Sequence, residues 1–224
     1  MLLLPPSDGS ERVSRANRET VCYSSGVLIL EPVAVAQVVG SPWEHKAEVG
    51  EPMRLTQSEP VLKALFEVCR LLTEYGIRHA VIGGIAVSVY GWPRATRDVD
   101  LLIGDEAWER EASGALTPRF ELPERINGVP IDYLPIDVAG GFLTQAFLRP
   151  IWTVGVPIAP AEIVVCTKLI RLAMRDQADI VEMVKADIID RAAVRAFLAE
   201  HTPMLVGRWD ALVTQAEAEI ERSQ

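Results

Sequence analysis

The sequence is poor in cysteine and histidine, and both shortages limit its chemistry. Its 224 residues include three of each: Cys22, Cys69, Cys166, His45, His79 and His201. Neither set has the paired spacing of a zinc site or a disulfide framework. The chain also lacks a His-Glu-x-x-His pattern, a phosphate-loop Gly-Lys-Ser/Thr and a Gly-x-Ser-x-Gly elbow. We therefore expect a reducing, cytoplasmic setting and histidines that only pack in the core or on the surface.

Positive charge and long hydrophobic runs are scarce as well. The chain has 22 Lys and Arg against 31 Asp and Glu, a formal net charge of −9. It therefore has no global basic field for nucleic acid or an anionic membrane, and a nucleic-acid partner would need a local basic patch. The apolar start at residues 1–4 has no basic residue, and the stretch 27–39 is interrupted by Glu31 and Pro32. We predict neither a secretion signal nor a transmembrane segment.

Patterning divides the chain into three regions. Hydrophobic residues make up 49% and charged residues 24%, as in ordinary globular proteins. Residues 1–52 show no persistent helical or strand period, which predicts a poorly structured extension or a misassigned start, with Met53 as the natural one. A genuine strand-bearing extension is the alternative. Residues 53–158 alternate helices and strands, whereas 159–224 are predicted to be entirely helical.

The alternation in the second region predicts an α/β (α+β) fold, a mixed sheet with flanking helices followed by a helical region. The predicted elements are a helix from Ser58 to Gly76, a strand at 77–82, a short helix at 85–90, a strand at 98–103, a helix capped by Asp105, a strand at 130–134 after an Asn127-Gly128 turn, and a strand within 152–156. Three C-terminal helices are predicted near 161–174, 178–199 with a break, and 203–222.

Two aspartates share one of the predicted strands. Asp98 and Asp100 are two residues apart, so strand alternation places both carboxylates on one face. A shared divalent cation would relieve their repulsion, and oxygen ligands suit Mg²⁺ or Mn²⁺ with substrate phosphates completing the shell. Two solvated aspartates on an exposed face would produce the same pattern. The pair alone therefore predicts little.

The residues before this pair strengthen the prediction of a site that binds metal and phosphate. Gly83-Gly84 lies between a strand and a helix, where glycine lets the backbone approach a phosphate. A turn carrying Arg94 and Arg97 then leads into the acidic strand. Either arginine could clamp a triphosphate or simply be solvated in the turn, and Arg97 could pair with Asp98.

In this order the residues resemble the signature of the nucleotidyltransferase superfamily. That signature is a hydrophobic residue with Gly-Gly, followed about a dozen residues later by Asp-h-Asp, here at 82–84 and 98–100. The string 83–103 is similar to bacterial AbiEii-type proteins of type IV toxin-antitoxin systems. Residues 131–135 and 161–179 resemble the family's third acidic strand and its helical Lys and Asp stretch.

The resemblance implies a nucleotidyltransferase-type fold that moves a nucleoside monophosphate from a nucleoside triphosphate to an acceptor hydroxyl. RNA, especially tRNA, or protein is the implied acceptor, and a cognate antitoxin the implied partner. A small-molecule acceptor of the aminoglycoside kind, or a non-catalytic nucleotide-binding module, is the alternative. The implied residues are Asp98, Asp100 and Asp132 for metal and catalysis, and Gly83, Gly84, Arg94, Arg97 and Lys168 for the nucleotide.

Two of these assignments have an open alternative. Asp132, the implied third carboxylate and general base, could be an ordinary strand-end aspartate, with Asp137 as the functional residue. Lys168 lies among apolar helix neighbours, where an unpaired ammonium is costly, so it must reach water, a carboxylate or a phosphate. The resemblance favours a nucleotide phosphate, and snorkelling to the surface is the alternative.

Overall fold

The computed structural model describes residues 21–24, 27–30, 57–136, 141–153 and 155–223. In chain order its strands and helices are β1 (Val21–Ser24), β2 (Val27–Leu30), α1 (Glu59–Glu74), β3 (His79–Val81), α2 (Gly83–Val89), β4 (Val99–Ile103), β5 (Trp108–Arg110), β6 (Leu116–Pro118), β7 (Arg125–Ile126), β8 (Val129–Pro135), α3 (Gln145–Leu148), β9 (Ile151–Thr153), β10 (Val156–Ile158), α4 (Ala161–Arg171), α5 (Met174–Lys185), α6 (Arg191–His201) and α7 (Val206–Arg222). Short 3-10 turns lie at Asp105–Ala107, Gly141–Thr144 and Pro203–Leu205.

A six-stranded mixed sheet organises the protein, in the order β7-β8-β4-β3-β10-β9. Strand β4 runs parallel to β8 and antiparallel to β3, and β3 runs parallel to β10. Helix α1 contacts β4 and β8, and α2 contacts β4 and α4. The predicted mixed α/β fold with flanking helices and a C-terminal helical region is confirmed.

Helix α1 follows its sequence pattern closely. The apolar residues at helical spacing are all buried: Val61, Leu62, Leu65, Val68, Cys69 and Leu72. Gly76 ends the helix with a positive φ of 68°, as predicted. Ser58 occupies the capping position, but its side chain makes no capping hydrogen bond. The apolar stripe and the glycine stop therefore define this helix.

Two parts of the predicted core were wrong in detail. The region 152–156 is not one strand, because a turn at Gly155 (φ 79°) separates the antiparallel strands β9 and β10. Asp105 does not cap a helix: it opens a single 3-10 turn, and Gly104 occupies the capping position. After that turn the chain extends into the β5–β6 hairpin, which no sequence signal predicted.

The C-terminal region is helical, with breaks that the sequence located approximately. Leu172, at φ 50°, ends α4, and the predicted break within 178–199 separates α5 from α6. Asp190 caps α6 by accepting a 2.9 Å hydrogen bond from the backbone N–H of Ala193. The predicted C-terminal apolar stripe is buried at Leu205 of the preceding 3-10 turn and at Trp209, Leu212 and Ala216 of α7. Within the described ranges, no helix has the length and apolarity needed to cross a membrane.

The N-terminal 52 residues contain one described feature, the antiparallel pairing of β1 with β2, although the sequence there showed no persistent strand pattern. Met53, His45 and Asp137 lie outside the described residues. The domain boundary and the start at Met53 therefore stay predictions.

Candidate metal and nucleotide site

Three carboxylates meet at one end of the sheet. Strand β4 carries Asp100 directly opposite Asp132 of the parallel strand β8, and Asp98 immediately precedes β4. One carboxylate oxygen from each of the three lies within 4.8 Å of the other two. Asp98 and Asp100 are half-buried and Asp132 is exposed. The structure therefore gathers the three acidic residues that the sequence analysis singled out.

The electrostatics of this cluster are unfavourable without a cation. Burial, and after it the neighbouring charges of Asp98 and Asp132, together raise the pKa of Asp100 to about 6. Arg171 and Lys168 oppose the rise without cancelling it. In the described part of the chain, none of the three aspartates forms an ion pair. Because the three aspartates supply oxygen donors and Arg171 and Lys168 only partly offset their charge, the donor set fits a divalent ion such as Mg²⁺.

Gly83 and Gly84, at the start of α2, form a glycine turn that lies against this cluster. Gly83 has a φ of 66°, and a β-carbon there would overlap the carboxylate of Asp100. The backbone N–H of Ile82 donates to the carbonyl of Asp100 at 3.0 Å, which holds the turn beside β4. A β-carbon at Gly84 would lie 2.9 Å from the guanidinium of Arg94 and 3.0 Å from the side chain of Thr96. Close approach and backbone conformation therefore both require glycine at Gly83, whereas a β-carbon at Gly84 would need Arg94 and Thr96 to shift slightly.

Thr96 connects the turn after α2 to the acidic cluster. It is buried, and its hydroxyl donates a hydrogen bond to Oδ1 of Asp98. This bond fixes one carboxylate oxygen of Asp98 and leaves the other available. Sequence reasoning did not assign a role to Thr96, because a threonine before a strand is unremarkable by itself.

Lys168 is buried, and its ammonium is neutralised inside the protein. Its Nζ lies 2.6 Å from Oδ2 of Asp179 and 3.2 Å from Oδ1 of Asp176, and its side chain is 4% exposed. Arg94 joins the same group through a 2.9 Å ion pair with Asp179. The snorkelling alternative is therefore wrong, since the side chain turns inward to two carboxylates. The nucleotide role of Lys168 and Arg94 stays a prediction.

Arg97 is exposed, and the Arg97–Asp98 ion pair suggested by the sequence does not form in the described structure. Two further exposed arginines lie on the same part of the protein. Arg171 is close enough to lower the pKa of Asp100, and Arg175 donates a 3.2 Å hydrogen bond to the carbonyl of Ala95. Neither arginine was predicted from the sequence to have a role, although Arg171 follows Lys168 by one helical turn.

The described histidines behave as packing residues, as expected. His79 is partly buried, burial lowers its pKa, and its Nδ1 lies 2.9 Å from the carbonyl of Ile77. His201 stacks on Phe142 with ring centroids 5.7 Å apart. Cys69 and Cys166 are buried free thiols.

Similarity of this chain to known proteins is limited to structure. No protein family and no curated protein matches the chain. Among solved structures, an antigenic nucleotidyltransferase-like protein from Paracoccidioides brasiliensis aligns at 19% identity, over 69% of this chain and 94% of that chain, with a TM-score of 0.38. The fold and the site thus define a mixed α/β protein whose acidic cluster is suited to a divalent cation.

Proposed function

We propose that this protein is a metal-dependent nucleotidyltransferase, which moves a nucleoside monophosphate from a nucleoside triphosphate to an acceptor hydroxyl. The observation that carries the proposal is the carboxylate cluster of Asp98, Asp100 and Asp132, whose oxygens lie within 4.8 Å of one another. Its position beside a glycine turn without side chains supports a phosphate-bearing substrate.

Asp98 and Asp100 are the proposed metal ligands, and Asp132 is the third. The bound Mg²⁺ or Mn²⁺ would neutralise charge on the triphosphate as it reacts. Asp132 has a second role, because it is the most exposed of the three and so lies on the side that an acceptor can reach.

The proposed reaction is an in-line displacement at the α-phosphorus. The acceptor oxygen forms a bond to this phosphorus, the bond from the phosphorus to the oxygen bridging to the β-phosphate breaks, and pyrophosphate leaves. Asp132 accepts the proton of the acceptor hydroxyl as general base. Positioning and charge neutralisation supply most of the rate enhancement.

The triphosphate is proposed to lie along Gly83 and Gly84. Arg97 and Arg171 are exposed near the cluster, and we propose that both meet phosphate oxygens, Arg171 while it also pairs with Asp176 at 3.4 Å. Arg94 and Lys168 both form ion pairs with Asp179. We propose that each keeps this pair and also contributes positive charge to the nucleotide site.

RNA, and tRNA in particular, is the proposed acceptor, in a cytoplasmic protein of the AbiEii type that works with a cognate antitoxin. The exposed Arg97, Arg171 and Arg175 supply the local basic patch that an acidic chain would need for RNA. The net charge of −9 favours a second candidate, a cationic small acceptor of the aminoglycoside kind.

Label transfer tests the proposal. The full chain is incubated with Mg²⁺ and each α-³²P-labelled nucleoside triphosphate, in parallel with total RNA, cell extract or aminoglycosides. We expect label in one acceptor class, which also decides between RNA and a small molecule. Asp98→Asn and Asp100→Asn should lose both triphosphate binding and transfer, because the metal is no longer held. Asp210→Asn, a surface change on α7, is the control and should transfer normally.

Asp132→Asn separates an enzyme from a binding module. Triphosphate binding should largely survive in this variant, while transfer falls by at least about 10²-fold, the usual loss when a general base is removed. If the wild-type chain binds triphosphate, labels no acceptor and is indistinguishable from Asp132→Asn, the protein is a nucleotide-binding module and not a transferase.

A further inference from the structure

Gln57 is a buried polar residue that the proposed mechanism does not use. It lies just before α1 and is 4% exposed. Its Nε2 donates to the carbonyl of Arg94 at 2.6 Å and to the hydroxyl of Ser88 at 2.8 Å, and its Oε1 accepts from the backbone N–H of Thr96 at 2.9 Å. Both amide hydrogens and the amide oxygen therefore have partners.

These bonds fix a segment that has no regular secondary structure of its own. Residues 92–96 form neither helix nor strand, and buried backbone groups need hydrogen-bond partners. The side-chain amide of Gln57 pairs with the carbonyl of Arg94 and the N–H of Thr96, as a neighbouring strand would. Ser88 adds a second bond to the same carbonyl at 2.8 Å. Gln57 therefore holds the chain between α2 and β4 on both sides of Ala95, together with Ser88 and with Arg175, which donates to the carbonyl of Ala95.

The fixed segment leads directly to a proposed metal ligand. Thr96, whose N–H is held by Gln57, donates its hydroxyl to Oδ1 of Asp98. The same threonine lies where a β-carbon at Gly84 would come within 3.0 Å. A shift of Thr96 would therefore move both the Asp98 carboxylate and the wall of the glycine turn.

We infer that Gln57 is a positioning residue for the metal site, acting through Thr96 on Asp98. The inference rests on the proposed function. Groups that orient a metal ligand by hydrogen bonding commonly change metal affinity by about 10- to 100-fold when they are removed. Gln57 reaches the site from a part of the chain 26 residues before Gly83, so its contribution is separate from the glycine and aspartate motif.

Mn²⁺ affinity of the full chain, measured by calorimetry or electron paramagnetic resonance without nucleotide, tests the inference. Gln57→Met keeps a similar side-chain length and removes all three hydrogen bonds, and we expect the Kd for Mn²⁺ to rise about tenfold. Val194→Ala, a buried change in α6, is the control for lost stability alone, and its Kd should match the wild type. Ser88→Ala leaves the Gln57–Thr96 bond in place and should raise the Kd by less.

The outcomes separate this inference from the proposed function. A Gln57→Met chain that binds Mn²⁺ like Val194→Ala would reduce Gln57 to a folding residue and leave the transferase proposal standing. A wild-type chain that does not bind Mn²⁺ would overturn both. Should Gln57→Met not fold, Thr96→Val decides, because it removes the hydroxyl bond to Asp98 through which Gln57 is inferred to act: a raised Kd supports positioning, and an unchanged Kd overturns it.

Discussion

Two groups of acidic residues lie close together in this protein, and they are neutralised in opposite ways. Asp176 and Asp179 are buried and share the ammonium of Lys168, with Arg94 also paired to Asp179 and Arg171 to Asp176. Asp98, Asp100 and Asp132 face one another, and no cationic side chain of the described structure pairs with them. We call the first group the ion-pair cluster and the second the carboxylate cluster.

The difference indicates what each cluster does. Buried charges that find partners within the chain stabilise a unique arrangement once both are in place, and removing one partner is costly. Charges left to repel one another store unfavourable energy that only an external cation can release. The ion-pair cluster thus joins α4, α5 and the turn before β4, whereas the carboxylate cluster is left to bind.

Removing the cation of the ion-pair cluster should have the largest effect. Lys168→Met removes the buried ammonium between Asp176 and Asp179 and leaves Arg171 and Arg94 as their partners, so we expect the free energy of unfolding to fall by about 3 kcal/mol, at the lower end for a broken buried pair. Lys185→Met is the matched control, because Lys185 also pairs with two carboxylates, Glu182 and Glu219, but on the surface. Its loss should matter little. Urea unfolding measures both, and equal losses would contradict a special role for burial.

Adding the missing cation should stabilise the carboxylate cluster. At about a hundred times its Kd, Mn²⁺ should raise the free energy of unfolding by about 2.7 kcal/mol. The gain should shrink as pH falls through the pKa of Asp100 at about 6, since protons then compete with the metal. Thermal unfolding with and without Mn²⁺ at several pH values measures this. A shift that persists in Asp98→Asn would place the ion elsewhere.

The glycine turn offers a sharper test of where the cation binds. Gly83→Ala should lose about 1–2 kcal/mol from its positive φ, and it should also lose Mn²⁺ binding because the new β-carbon displaces the Asp100 carboxylate. Gly76→Ala is the matched control: its φ of 68° is nearly that of Gly83, but no atom lies within 4 Å of the added carbon. Calorimetric titration should show that only Gly76→Ala keeps the wild-type affinity.

The smallest expected effect is a gain in stability. Because the pKa of Asp100 is raised from 3.8 to about 6, the native state holds this proton more tightly than the unfolded chain, so metal-free stability falls as pH rises between these values. Asp100→Asn removes that loss and should gain about 1 kcal/mol near pH 8, allowing for partial contact with water. Urea unfolding at pH 4 and pH 8 measures it. A variant less stable than the wild type at pH 8 would show that the carboxylate is favourably placed without metal.

Local patterns predicted the parts of the fold that depend on neighbouring residues. The sequence predicted the apolar stripe of α1 and its end at Gly76. It also predicted the order of strand, glycine turn, helix and strand through β4. The β9–β10 and β5–β6 hairpins were missed, because strands of three residues carry too little alternation to be recognised. These short strands form because each one hydrogen-bonds to a neighbouring strand.

The candidate site also has one part that local sequence determined and another that packing determined. The two-residue spacing of Asp98 and Asp100 determined by itself that both carboxylates share a face, and the pair of glycines marked a turn beside them. Strand register then decided that Asp132 stands opposite Asp100, and helix packing decided that Lys168 meets Asp176 and Asp179. Gln57 had no signal in sequence at all. Spacing of a few residues is set by backbone geometry, whereas contacts over 30 or more residues, such as Gln57 with Thr96, exist only once the core has packed.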